Sequence, residues 1–330
     1  MTLGNITDVP GIKVGNVENL EALTGCTVIL TEEGAVCGVD VRGSAPGTRE
    51  IELLDPINSV NEVHAICLAG GSAFGLDSAS GVMQFLEEKG IGLDVGVTKV
   101  PIVPGAVLFD LPVGNPKIRP DKKMGYEAAT KAVKGSFPFG NIGAGCGATV
   151  GKLTGLENCM KGGLGSASLI LDNGLVIGAI VAVNAVGDIR DPSNREIIAG
   201  PIDPETGELV DSLLYLQENT ENKILPGMNT TIGAIAVNAK LTKAEAKKVA
   251  QMAQNGLART IYPVHTMLDG DTVFALATGG EAYPVDLIGS LAAQVMEEAI
   301  IAAVKSADEV SGIPSFQSRE RIQRTNHKPK

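Results

Sequence analysis

The chain has 330 residues, 44% of them hydrophobic, only 3% aromatic and none Trp, so its core must be built from Val, Ile, Leu and Ala. A net charge of -11 excludes a surface made to neutralise phosphates, and so few aromatics leave no stacking platform for single strands. No nucleic-acid partner is expected. Five cysteines without a Cys-x-x-Cys pair read as reduced thiols of a cytoplasmic protein. The opening residues MTLGNITDVPG lack the basic and apolar regions of a signal peptide. Gly and polar residues are expected to interrupt every apolar run before it reaches the length of a bilayer span.

Taken in chain order, residues 25–31 and 35–42 predict strands, as do 63–69. A helix follows over 72–89, starting at Ser72 and placing Leu76, Ala79, Val82, Met83 and Leu86 on one face. A second helix over 121–134 stops before Gly135. Strands are predicted over 175–184 and 231–238, then a helix over 242–261 that opens with the capping box Thr242-x-x-Glu245. Residues 272–278 form a last strand and 285–306 a last helix. Most strands are continuously apolar rather than alternating, which implies sheet buried on both faces and a layered α/β domain over 1–311. The polar, basic tail 312–330 is expected to be disordered in isolation, or to cross to a neighbouring subunit.

The junction Asn229-Thr230 lies inside Leu225-Pro-Gly-Met-Asn-Thr-Thr-Ile-Gly233. Read alone, the commoner meaning of this pattern is a turn followed by a β-branched strand start. If the bond were cut, Thr230 would begin a chain and carry its own base, because an α-amine titrates near about 7.7–8.0. Asp269-Gly-Asp271 precedes the strand 272–278. Two residues apart in an extended chain, its carboxylates could converge on one point, or simply open a hairpin. His265 is near, but neither a His-Glu-x-x-His pattern nor a calcium loop accompanies it, and no metal is expected.

The run Gly143-Ala-Gly-Cys-Gly-Ala-Thr-Val-Gly-Lys152 fails as a phosphate loop, since its spacing is wrong and Leu153 stands at the Ser/Thr position. It fits no dinucleotide fingerprint either, so no cofactor is expected. What it delivers is one lysine, Lys152, and a small buried thiol, Cys146. Asn184 ends an apolar strand, where its amide could donate to an oxyanion or cap the following turn.

The blocks ITDVPGIKVGNVE, TGCTVIL, RGSAPGTRE, VHAICLAGGSAFGLDSASGVMQFLEEKGIGLDV and VPIVPGAVLFDL resemble the P1 peptidase family of self-cleaving aminopeptidases and amidases. The likeness continues through NTTIGAIAVNAKLTKAEAKKVAQMAQNGLARTIYPVHTMLDGDTVFALATG, and is strongest to the nylon-oligomer hydrolase (6-aminohexanoate-oligomer endohydrolase) branch. It implies an N-terminal-nucleophile-like αββα sandwich, cut into 1–229 and 230–330 and assembled into homo-oligomers, typically tetramers. It implies hydrolysis of linear amides of amino-acid-like oligomers through an acyl-enzyme on Thr230. Asp269 and Asp271 would orient the nucleophile, Asn184 would serve the oxyanion, and Lys152 would place positive charge beside it. Some relatives bring a tyrosine to the site; the corresponding position is Phe109, which has no hydroxyl and is left a substrate-contacting role. The alternatives within the same resemblance are an aminopeptidase acting on short D- or β-amino acid peptides and an acyltransferase like the ornithine acetyltransferases.

Overall fold

Two long strand blocks in this sequence turn out to be one strand that changes layers. In the computed structural model, which describes residues 4–219 and 229–326, the predicted strands 25–31 and 35–42 are continuous as β2, Thr24–Val41. Its first half pairs with β1 (Lys13–Asn19) and with β4 (Glu62–Ala69). After an irregularity between Leu30 and Ala35, its second half pairs with β9 (Thr272–Glu281). The short strands β3 (Gly47–Arg49) and β5 (Gly105–Val107) complete the edge beyond β4. On the other side the order runs from β9 to β8 (Thr230–Ala239), β7 (Val176–Asn184) and β6 (Gly163–Ile170).

Three apolar layers show that this connected sheet is folded into two. Ile29, Ile66 and Leu68 of the first part meet Ile180, Ala182, Ile232, Ala234, Phe274 and Leu276 of the second in one cluster. The alternate residues of the second part, among them Val181, Val183, Ile235, Val237 and Val273, face helices α4 (Lys243–Thr260) and α5 (Val285–Ser306). The alternate residues of the first part, Val28, Leu30, Ala65 and Cys67, face α1 (Ser78–Glu88) and α2 (Lys122–Thr130). Helix, sheet, sheet, helix is the αββα sandwich that the sequence resemblance implied. Both faces of each sheet are covered, which is why its strands carry few polar residues. Small residues let the layers close up: a Cβ at Gly38 would lie 2.1 Å from the backbone nitrogen of Lys247 on α4.

Several expectations need correction. The helix expected over 72–89 begins as a 3-10 turn, Ser72–Asp77, and becomes α-helical only at Ser78. The helix expected over 121–134 ends at Thr130, because Val133 leaves it to exchange backbone hydrogen bonds with Val14 of β1. α5 is long and apolar enough to cross a membrane by length and composition alone, contrary to the expectation that no run would be. In this fold it is a core helix, its apolar residues spent on the sheet beneath it. Within the tail expected to be disordered in isolation, α6 spans Phe316–Asn326; α3 (Ser212–Glu218) is a further short helix that the sequence did not announce. Phe316 packs against the core, and the Ser315 hydroxyl accepts the Ser318 N–H in the first turn. The Lys161 N–H binds the Pro314 carbonyl at 2.8 Å. These contacts offset the ordering entropy that the polar composition alone could not.

Phe274 is the largest apolar side chain fully buried between the two sheets. Replacing it with Ala should destabilise the fold by about 3–5 kcal/mol, because facing strands cannot collapse into the space. The measurement is a urea melt of Phe274→Ala against the parent; a loss under about 1 kcal/mol would contradict this packing.

Candidate active site

Strand pairing alone assembles most of the site. β7 and β8 run antiparallel, and their register sets Asn184, the last residue of one, opposite Thr230, the first of the other. β8 and β9 run parallel, with Ile232 opposite Thr272. The bridge between Asn229 and Asp269 extends that pairing backwards past the strand ends. Thus the junction Asn229-Thr230 lies between Asn184 on one side and Asp269-Gly-Asp271 on the other. The main chain of Arg42, Gly43 and Ala45 crosses beyond, its N–H groups bound to the carbonyls of Asp271 and Asp269.

Thr230 is buried, only 2% exposed, and its hydroxyl donates to the carbonyl oxygen of Asn229. The same carbonyl accepts the Gly270 N–H at 3.0 Å. Position 270 has no room for a side chain: a Cβ there would lie 2.9 Å from Thr230 Oγ1 and 2.8 Å from the Ala45 carbonyl oxygen. Asp271 accepts the Thr231 N–H on Oδ1 at 2.7 Å, holding the residue next to Thr230. Asp269 accepts the Thr266 N–H and hydroxyl on Oδ2, at 2.7 and 2.6 Å.

Lys152 is 3% exposed and its ammonium is caged by three carbonyl oxygens, those of Thr149, Asn184 and Ala185, at 2.8, 3.0 and 3.1 Å. Asn184 accepts the Thr149 N–H at 3.0 Å on Oδ1 and donates from Nδ2 to the carbonyl of Phe109 at 3.2 Å. The structure therefore brings together Thr230, Asn229, Asp269, Asp271, Lys152 and Asn184. Phe109 joins them through its main chain, an atom the sequence comparison of side chains could not single out.

Burial and neighbouring charge set the titration of this group. Burial, helped by the charge of Asp271 and opposed by the Thr266 donors and Lys152, raises the Asp269 carboxyl to about 6. Burial brings Lys152 down to about 7, with Cys159 and Asp269 opposing. An acid and an amine that both change charge near neutrality, beside a buried hydroxyl, are the ingredients of proton transfer. Among the described residues no group of three or more His, Cys, Asp or Glu side chains is arranged to hold a metal ion. Sequence reasoning missed the Gly270 N–H and the Thr266 donors. The signal for the first was a glycine locked between two acids.

A model of Peptidase family S58 matches residues 4–317. The chain belongs to Peptidase family S58. This agrees with the resemblance read from the sequence blocks. The S58 chain is 42% identical over 346 residues to an uncharacterized aminopeptidase of Mycobacterium tuberculosis, covering 96% of this chain and 97% of that one. It is 33% identical over 314 residues to a 6-aminohexanoate-oligomer endohydrolase of a Kocuria strain, covering 90% and 85%. Among solved structures it matches the PH0078 protein from Pyrococcus horikoshii with a TM-score of 0.72 at 24% identity, over 99% of this chain and 95% of that one. It also matches an L-aminopeptidase D-Ala-esterase/amidase from Ochrobactrum anthropi, a variant of the Ntn hydrolase fold, with a TM-score of 0.68 at 16% identity, over 98% and 94%. The structural likenesses speak for the fold. Family and fold together make this S58 chain a hydrolase of the peptidase and amidase type.

The raised Asp269 carboxyl has a consequence for stability. Its neutral form is the one the fold favours, so its contribution is whole below the ordinary value of 3.8 and is lost as pH rises through about 6. Asp269→Asn keeps an acceptor for Thr266 and cannot ionise. In a Thr230→Ala background, where every sample should be one chain, its melting temperature should gain on the parent between about pH 4 and pH 6 and keep that lead above. A constant difference across this range would refute the assignment.

Proposed function

We propose that this S58 hydrolase cuts its own chain between Asn229 and Thr230 and then hydrolyses linear amides with Thr230 as nucleophile. The observation that carries the reading is the Thr230 hydroxyl bound to the carbonyl of its own preceding peptide, while the Gly270 N–H polarises that carbonyl from 3.0 Å. Oγ1 adds to the Asn229 carbonyl carbon, and negative charge gathers on an oxygen already facing a donor. Asp269, whose carboxyl changes charge near neutrality, takes the proton that Oγ1 loses and hands it to the departing nitrogen as the C–N bond breaks, leaving an ester between Asn229 and Oγ1. Water then cleaves the ester, giving an Asn229 carboxylate and Thr230 with a free α-amine.

That amine becomes the base for the second reaction. It takes the Oγ1 proton as Oγ1 attacks a substrate carbonyl, and returns it to the departing amine. Water releases the acyl group. Lys152, bound to the main-chain carbonyl opposite Thr230, adds positive charge that disfavours protonation of the amine. The Asn184 amide, held between Thr149 and Phe109, serves the substrate oxyanion.

For substrates, the 6-aminohexanoate-oligomer endohydrolase relatives support amides of amino-acid-like oligomers. The aminopeptidase relatives support a second reading, removal of residues from the amino end of short peptides. Intact mass measurement of purified protein should find two chains, the smaller beginning at Thr230. Thr230→Ala should remain one chain and lose amide hydrolysis by at least about 10³-fold, while Thr230→Ser should still be cut. Cleavage of the Ala variant at the same bond would rule out self-processing. Offering a 6-aminohexanoate trimer beside short peptides of equal length separates the two substrate readings.

A further inference from the structure

His265 and Thr266 are neighbours in the chain, and each serves one acid of the pair in the same manner. Thr266 gives its N–H and its hydroxyl to Oδ2 of Asp269. His265 gives its N–H to Oδ2 of Asp271 at 3.1 Å, and its ring Nδ1 lies 2.9 Å from the same oxygen. Each carboxylate thus has one oxygen gripped by a main-chain and a side-chain group of a single residue. The grip on Asp271 leaves Oδ1 aimed at the Thr231 N–H, 2.7 Å away. His265 adopts a left-handed backbone, φ 57°, which is uncommon outside glycine and brings both groups to bear at once. A carboxylate oxygen accepts, so the ring proton that serves Asp271 is assigned to Nδ1, the nitrogen that faces it. Nε2 is buried and has no hydrogen-bond partner among the described residues.

We propose that His265-Thr266 is a positioning element, a pair of two-donor clamps that fixes the orientation of Asp271 and Asp269 and through them the placement of Thr230. The inference rests on the reading of Thr230 as the nucleophile. The hydrogen bonds that both residues donate here go to the acids. Release of either clamp lets a carboxylate turn, and misplacement of reacting groups by about 1 Å can cost about 100-fold in rate. Asn can put an amide N–H where Nδ1 lies, whereas Gln reaches the place of Nε2. Ser keeps the hydroxyl of Thr266, and Val keeps its shape without it.

The test uses the full chain made by cell-free translation, with the time course of cutting at Asn229-Thr230 followed by gel and mass spectrometry. His265→Gln and Thr266→Val should cut about 10–100-fold more slowly than the parent, and His265→Asn and Thr266→Ser within about threefold of it. Melting temperatures of the uncut chains, measured in the Thr230→Ala background, should not follow that order. Wild-type rates for His265→Gln, or rescue by Gln and not by Asn, would overturn the His265 clamp. If His265→Gln fails to fold, the Thr266 variants decide, and equal rates for Val and Ser would sink the idea. A parent chain that is never cut at this bond overturns the nucleophile reading itself, and this inference with it.

Discussion

The register between two strand ends is the constraint on which the rest of the site depends. β8 begins at Thr230, opposite Asn184 on β7 and alongside the segment that leads into β9. A shift of one residue would turn the Thr230 side chain to the opposite face and draw Asn229 into the strand. It would also part the Asn229 carbonyl from the Gly270 N–H. Register in turn is pinned by alternation. Ile232, Ala234 and Ala236 must face the inter-sheet core while Ile235 and Val237 face α4 and α5. The chemistry is therefore held by packing that extends well away from it.

The second constraint is electrostatic. Lys152, Asp269 and Asp271 are each almost fully buried, a costly arrangement unless each charge is compensated. The compensation here comes mainly from backbone. Three carbonyls surround Lys152, while N–H groups of Thr231, His265 and Thr266 serve the acids. Because fixed dipoles replace water, Lys152 and Asp269 remain close to their charge-changing points rather than being driven fully neutral. Low-dielectric burial with prearranged donors is what strengthens interactions with charge that develops during reaction.

A good part of the fold was legible in the sequence, and the omissions share a cause. Strands such as 63–69 and 231–238 announced themselves by continuous apolar composition, and α4 by its capping box. β6, Gly163–Ile170, was missed because its glycines and serines give no apolar run. Its burial is conferred by neighbours: a Cβ at Gly165 would lie 2.2 Å from the Ala299 carbonyl of α5. β1 and the two short edge strands were missed for a similar reason, since pairing rather than composition makes them strands. α6 is polar by composition and is ordered by what its first residues touch.

Residue type and order determined which side chains were available to the site: a threonine after a turn, two acids two positions apart, a lysine delivered by glycines, an asparagine ending an apolar strand. They also carried the resemblance that the family match bears out. Only the tertiary structure decided how these groups are served. The Gly270 N–H on the Asn229 carbonyl, the Phe109 carbonyl on the Asn184 amide and the carbonyl cage of Lys152 are all main-chain contacts. Every residue but proline offers the same N–H and C=O, so composition cannot mark which of them will matter. That is fixed by strand register and loop path, which exist only once distant segments have packed together.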